Sequence, residues 1–195
     1  MAEKFNNKYR IESARLQTWD YGWNASYFVT ICTHKRIHFF GEIHNKIVEL
    51  SEIGKIAHDF WIEIPNHFPF VELGEFVIMP NHVHGIITIN KKHENVKTAG
   101  GAVETPKLGV STIATPGVPI KPPTSKKNDK WKSGTLGVIL NQFKRICTIN
   151  ARKINPRFEW QERYYDPIIR DEIGYRNVTN YIKDNPFNWE KDEFF

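Results

Sequence analysis

Cysteine is scarce in this 195-residue chain: only Cys32 and Cys147 occur, far apart. Two such residues make neither a disulfide framework nor a cysteine-based zinc pattern, and a reducing cytoplasm suits them. Long apolar runs are missing too. No stretch of eighteen apolar residues occurs, and the N-terminus Met1-Ala2-Glu3-Lys4-Phe5 is polar with mixed charge, which argues against a membrane span and a secretory signal. Nor is the chain basic throughout. Its formal net charge of +5 is concentrated in residues 91–132, where nine lysines face only Glu94, Glu104 and Asp129. Such a stretch can steer a polyanion, and a solvated lysine-rich loop is an equally good reading. The length allows one domain with a full core and is short for two.

The apolar spacing sets out an order of elements. Tyr27-Phe28-Val29-Thr30-Ile31-Cys32-Thr33 is rich in β-branched and aromatic residues, as a strand is. Residues 45–64 place Ile47, Leu50, Ile53, Ile56, Ala57, Phe60, Trp61 and Ile64 at helical spacing, with a break expected near Gly54 and an end at Pro65. Val71 to Met79 and His82 to Ile89 read as strands joined by a tight Pro80-Asn81 turn. Residues 91–133, rich in Gly, Pro, Thr and Lys, have little to bury and are expected to form a flexible basic insert. A second helix follows over about 135–153, then a strand region from Phe158 to Ile169. A last helix is expected from Asp171 to Asn185, stopped by Pro186. The sum is an α+β fold, the βαββαβ split arrangement of ferredoxin-like domains. It has an antiparallel sheet, helices on one face, and an added C-terminal helix carrying Tyr181. The whole chain, 1–195, is expected to be one domain.

His82-Val83-His84 carries the chemistry. Residues two apart on a strand project from the same face, with α-carbons roughly 6–7 Å apart, so the two imidazoles can converge on one cation. The competing reading is two polar residues on the wet face of a strand. Tyr181 and Asn185 lie four apart, on one face of the last helix. If that face covers the histidine strand, the Asn185 carbonyl supplies a third ligand and Tyr181 a phenolic oxygen beside the ion. A phenol ordinarily titrates near 10 and needs such help to act as a nucleophile. The shell suits Mg²⁺ or Mn²⁺, although two histidines alone would take zinc more tightly. Packing competes as a role for Tyr181, and helix capping as a role for Asn185. Among the other histidines, His34 and His38 could face phosphate beside Lys35 and Arg36, while His44, His58, His67 and His93 read as structural or solvated. Trp19, Tyr21, Trp23 and Tyr27 could stack bases, but are better read as pinning the N-terminal segment onto the domain.

Six segments, in order, resemble the REP-associated tyrosine transposases, which belong to the HUH single-strand endonucleases. They are Tyr27 to Thr33, Met79-Pro80-Asn81-His82-Val83-His84-Gly85, Gln142-Phe143-Lys144-Arg145, Trp160-Gln161, Tyr164-Tyr165-Asp166 with Ile168-Ile169-Arg170, and Tyr181-Ile182-Lys183-Asp184-Asn185-Pro186. The resemblance covers roughly residues 15–89 and 134–189. It implies a divalent ion on His82 and His84 with Asn185 as third ligand. It also implies Tyr181 as the nucleophile that forms a 5′-phosphotyrosine on single-stranded DNA beside palindromic hairpins, and a homodimer, since relatives of this fold work as dimers. Lys35, Arg36, Lys144, Arg145 and Arg170 are the expected DNA contacts. Pro167 departs from the family, which commonly has histidine there. The main alternative is a catalytically silent hairpin-binding module on the same fold. A further one is a metal phosphodiesterase that uses water and leaves Tyr181 dispensable.

Overall fold

The computed structural model describes residues 15, 16, 18–91 and 134–191, with the backbone of two short paired strands, Lys4–Phe5 (β1) and Lys8–Tyr9 (β2). The expected basic insert and His93 fall, Lys91 apart, outside these residues. The further elements, in order, are β3 (Ala25–Cys32), β4 (Gly41–His44), β5 (Ile47–Leu50), α1 (Glu52–Ile62), α2 (Ile64–His67), β6 (Val71–Met79), β7 (His82–Ile89), α3 (Leu136–Ile154), β8 (Ile168–Ile169) and α4 (Glu172–Asp184). A 3₁₀ turn spans His34–Arg36 and another spans Asn185–Lys191.

The result is an α+β arrangement around an antiparallel sheet of order β6-β7-β3-β8. Alternation along the central strands divides its side chains between two faces. Tyr27, Val29 and Ile31 of β3 and Val83, Ile87 and Ile89 of β7 join one apolar cluster with α1 and α3. That cluster includes Ile53, Ala57 and Trp61 of α1 and Leu136, Ile139, Leu140, Phe143, Cys147 and Ala151 of α3. Each large apolar side chain fully buried here contributes about 1.5–3 kcal/mol. Trp61 meets Phe143 edge to face, with ring centroids 5.2 Å apart, and lies against β7 at Gly85. A Cβ on Gly85 would strike Trp61 Cζ2 and stand 2.9 Å from its Cε2. The residue after His84 therefore has to be glycine for this ring to reach the sheet. The opposite face, which carries Phe28, Thr30, His82 and His84, is covered by α4. Its Lys183 reaches Glu75 of β6 at 3.4 Å, and its Tyr181 reaches His84.

Three expected elements differ from those observed. Residues 45–64 are not one helix, because Ile47–Leu50 is the second strand of the β4–β5 hairpin. Its turn residues Asn45 and Lys46 have φ of 50° and 67°, the left-handed pair that two-residue hairpins favour. The apolar positions of this strand happen to continue the helical spacing. The helix starts only where the Ser51 side chain accepts the N–H of Gly54 at 3.0 Å. Gly54 does not break α1; it is buried where the helix meets the Phe40 carbonyl. Pro65 closes α1 as expected and also opens α2 at its first turn.

The region Phe158–Ile169 is strand only at β8. Before it come isolated bridges of Trp160 to Thr33 and Tyr165 to Thr30. Pro167 stands opposite Phe28 at this short edge strand: its carbonyl accepts the Phe28 N–H at 3.0 Å, and having no N–H it cannot return the reciprocal bond to β3. Pro186 does not stop the chain's coiling, which continues as the 3₁₀ turn Asn185–Lys191. The N-terminal aromatics do pin the segment. Trp19 meets Trp23 at 4.9 Å, Tyr21 stacks on Tyr27 at 5.7 Å, and the Trp19 indole donates to the Tyr27 hydroxyl at 3.2 Å.

Candidate active site

His82 and His84 open β7 directly after the Pro80-Asn81 turn, and both are fully buried. Their rings lie side by side, with centroids 4.3 Å apart. The neighbouring strand sets their surroundings. Thr30 stands opposite His84 in register and Cys32 opposite His82. Thr30 Oγ1 is 2.8 Å from His84 Nδ1, and Asn81 Oδ1 is 2.8 Å from His82 Nδ1. Burial holds both imidazoles neutral. It pushes His84 down to about 3. It also takes His82 well below the ordinary imidazole range, helped by the repulsion between the two rings were both charged and by the Arg36 charge.

Helix α4 brings Tyr181 to this pair. The Asp171 side chain caps the helix by accepting the Gly174 N–H at 2.7 Å, and two turns further on Tyr181 Oη stands 3.4 Å from His84 Nε2. Phe28 packs against both rings, its own 5.2 Å from His84 and 5.8 Å, edge on, from Tyr181. Tyr181 remains 43% exposed, whereas the histidines behind it are sealed. The phenol can therefore be reached from outside. Asn185, 2% exposed, follows at the junction of α4 and the 3₁₀ turn. That turn places Trp189 beside His82, 6.0 Å from its ring, and 5.7 Å from His38.

The expected DNA contacts divide between two regions. Lys35 and Arg36 are exposed on the turn after β3, both with left-handed φ, and the Arg36 charge is felt at His82. Arg170 is exposed between β8 and α4. Lys144 and Arg145 are on α3, across the sheet from the histidines. Lys144 is half-buried, donates to the Gln161 carbonyl at 2.8 Å, and has its charge disfavoured by burial. Arg145 lines a groove of about 460 Å³ between α3 and the α1–α2 segment. Elsewhere, His44 pairs with Glu42 at 3.2 Å and His58 with Asp59 at 3.1 Å, both at the surface.

Sequence reasoning passed over Thr30, Asn81, Phe28 and Trp189. Only Asn81, next to the histidine pair, carried a local signal. It also passed over a cluster beside β8. There Arg15 pairs with buried Asp166 at 2.7 Å, bonds the Tyr164 hydroxyl, and lies 4.8 Å from the ring centres of both Tyr21 and Tyr164. Burial raises the Asp166 carboxyl above its usual range, and the bond from Arg15 counters part of that rise.

No protein-family model matches the chain. A protein of Haemophilus influenzae described as uncharacterized is 36% identical to it, over all of this chain and 99% of its own length. Among solved structures, a REP-associated tyrosine transposase bound to a REP hairpin superposes with a TM-score of 0.55. It shares 14% identity and covers 92% of this chain and 74% of its own. The chain thus belongs to one family with the Haemophilus influenzae protein and has the fold of the REP-associated tyrosine transposase.

Proposed function

We propose that this protein is a metal-dependent single-stranded DNA endonuclease and strand transferase. It would act beside DNA hairpins, with Tyr181 as nucleophile and His82, His84 and Asn185 holding Mg²⁺ or Mn²⁺. We also read the strand order as the ferredoxin-like split arrangement. The observation that carries the functional reading is the approach of Tyr181 Oη to His84 Nε2, 3.4 Å within one chain. The relative of known structure, which binds a REP hairpin, adds the class of nucleic acid.

The donor set fits a divalent cation. Two neighbouring imidazoles, neutral through burial, offer nitrogen lone pairs. Among the described residues no third His, Cys, Asp or Glu joins them. The rest of the shell would be the amide oxygen of Asn185 with water or phosphate oxygens, a mixed set suited to Mn²⁺ or Mg²⁺. When bound, such an ion supplies Lewis-acid polarisation of a phosphoryl oxygen.

The chain's own groups do the remaining work. Tyr181 gives its phenolic proton to solvent at its exposed edge and attacks phosphorus. The bond from phosphorus to the 3′-oxygen breaks, that oxygen takes up a proton, and the 5′-phosphate stays on Tyr181 as a diester. The energy of the cut linkage is kept in that diester, so attack by another 3′-hydroxyl reverses the step and joins strands. Phe28 and α4 restrain the phenol, which lowers the entropic cost of reaching the attack geometry.

Labelled hairpin DNA from beside the gene, incubated with the protein and run on a denaturing gel, tests this. A covalent protein–DNA band that needs Mg²⁺ or Mn²⁺ and disappears in Tyr181→Phe is expected. Undiminished cleavage by that variant removes Tyr181 from the mechanism and favours a water nucleophile. Binding with no covalent product in the native protein favours a silent binding module.

A further inference from the structure

We infer that Thr30 and Asn81 are positioning residues that set the tautomer of the histidine pair. Each would accept the Nδ1–H of one ring, so that both Nε2 lone pairs turn toward the site. The inference rests on the reading of His82 and His84 as metal ligands, and goes beyond it by assigning the oxygens that make them so.

A neutral imidazole carries one proton on either of two nitrogens, and only the bare nitrogen can bind a cation or accept a hydrogen bond. For each neutral ring the choice is between two tautomers, and the partner of Nδ1 bears on it. At His82 the partner of Nδ1 is an amide oxygen, Asn81 Oδ1, at 2.8 Å. An amide oxygen only accepts, so Nδ1 must be the protonated nitrogen and Nε2 the bare one. At His84 the partner is a hydroxyl, Thr30 Oγ1, also at 2.8 Å. A hydroxyl can act either way, and Nε2 faces a second hydroxyl, that of Tyr181. The assignment at this ring follows from the ligand reading: only a bare Nε2 can bind a cation, and in the metal-free protein it can accept from that phenol.

Both oxygens are held firmly. Thr30 is 2% exposed and fixed opposite His84 by strand register, and its amide is bonded to the Tyr165 carbonyl at 2.9 Å. Asn81 is 1% exposed, and its carbonyl receives both the N–H and the hydroxyl of Thr33, at 2.8 and 3.0 Å. The β6–β7 turn and strand β3 thus supply one acceptor per ring. Metal-binding histidines are commonly oriented through the opposite ring nitrogen in this way, and loss of such a partner typically costs 10–100-fold in metal affinity.

The full-length protein labelled with ¹⁵N-histidine tests this without turnover. Long-range proton–nitrogen correlations on the metal-free native protein should show Nδ1–H and bare Nε2 for both His82 and His84. An Nε2–H tautomer at either ring overturns the assignment for that ring. The second arm titrates Mn²⁺ alone into native, Thr30→Ser and Thr30→Val proteins. The serine variant should bind as the native protein does. Thr30→Val should bind about 10–100-fold more weakly, with the His84 nitrogens shifted toward the other tautomer. A folded Thr30→Val that keeps both native affinity and native tautomer overturns the role of Thr30. If the native protein binds no Mn²⁺, the metal reading fails on its own, and the metal-free spectra still decide the tautomers.

Discussion

The two faces of strand β7 make opposite use of burial. On one, Val83, Gly85, Ile87 and Ile89 meet α1 and α3 in a dry, apolar contact. On the other, His82 and His84 are just as buried but are held by Thr30, Asn81 and the ring of Phe28, with Tyr181 half in solvent beyond. The same removal from water that contributes stability on the first face penalises charge on the second and keeps the imidazoles neutral. A single eight-residue strand therefore anchors an apolar core on one face and seats an imidazole pair on the other. It can do so because its side chains alternate.

Substitutions on one face should leave the other intact. The largest effect is expected from Tyr181→Phe: hairpin cleavage and the covalent adduct fall below detection on a denaturing gel, while hairpin binding and the urea midpoint stay near native. His82→Ala should abolish the metal-dependent part of the activity. Full cleavage by that variant in chelator would reject the metal role. On the dry face, Gly85→Ala forces a methyl into Trp61 and should cost about 1–3 kcal/mol in urea unfolding. Retention of native stability would show that Trp61 can move.

An acid titration compares the faces in one molecule. His82 and His84 are depressed in the folded chain and return near 6.5 when it unfolds, so the unfolded state takes up protons first as pH falls. Stability present above about pH 6.5 is then lost progressively down to about 3, the His84 value. Urea midpoints of metal-free protein should follow that fall, and His84→Asn should flatten it. The smallest effect concerns DNA affinity. Arg36→Ala should lower hairpin binding several-fold and reduce the salt slope by about one. Arg145→Ala, across the sheet, should leave both unchanged.

How much could be read in advance differs by element. The histidine strand, its Pro80-Asn81 turn, α3 and α4 each carry their own signal within a short window, through alternation or helical spacing, and the structure has them in those places. The β4–β5 hairpin does not. Ile47 and Leu50 fit a helical stripe, and only the left-handed turn at Asn45 and Lys46, with Ser51 reserved as a cap, decides for a strand. The Arg15–Asp166 pair spans 151 positions, a separation at which no local pattern operates.

For the site, spacing made His82 with His84, and Tyr181 with Asn185, candidates, and it was the resemblance to the transposase family that favoured them over packing and capping roles. That α4 crosses the histidine face, that Thr30 rather than another hydroxyl meets His84, and that Lys144 and Arg145 end on the far side were settled only by folding. Those outcomes depend on which surfaces bury one another. Sheet register and helix docking fix that for the whole chain at once, through contacts between segments that carry no mark of each other.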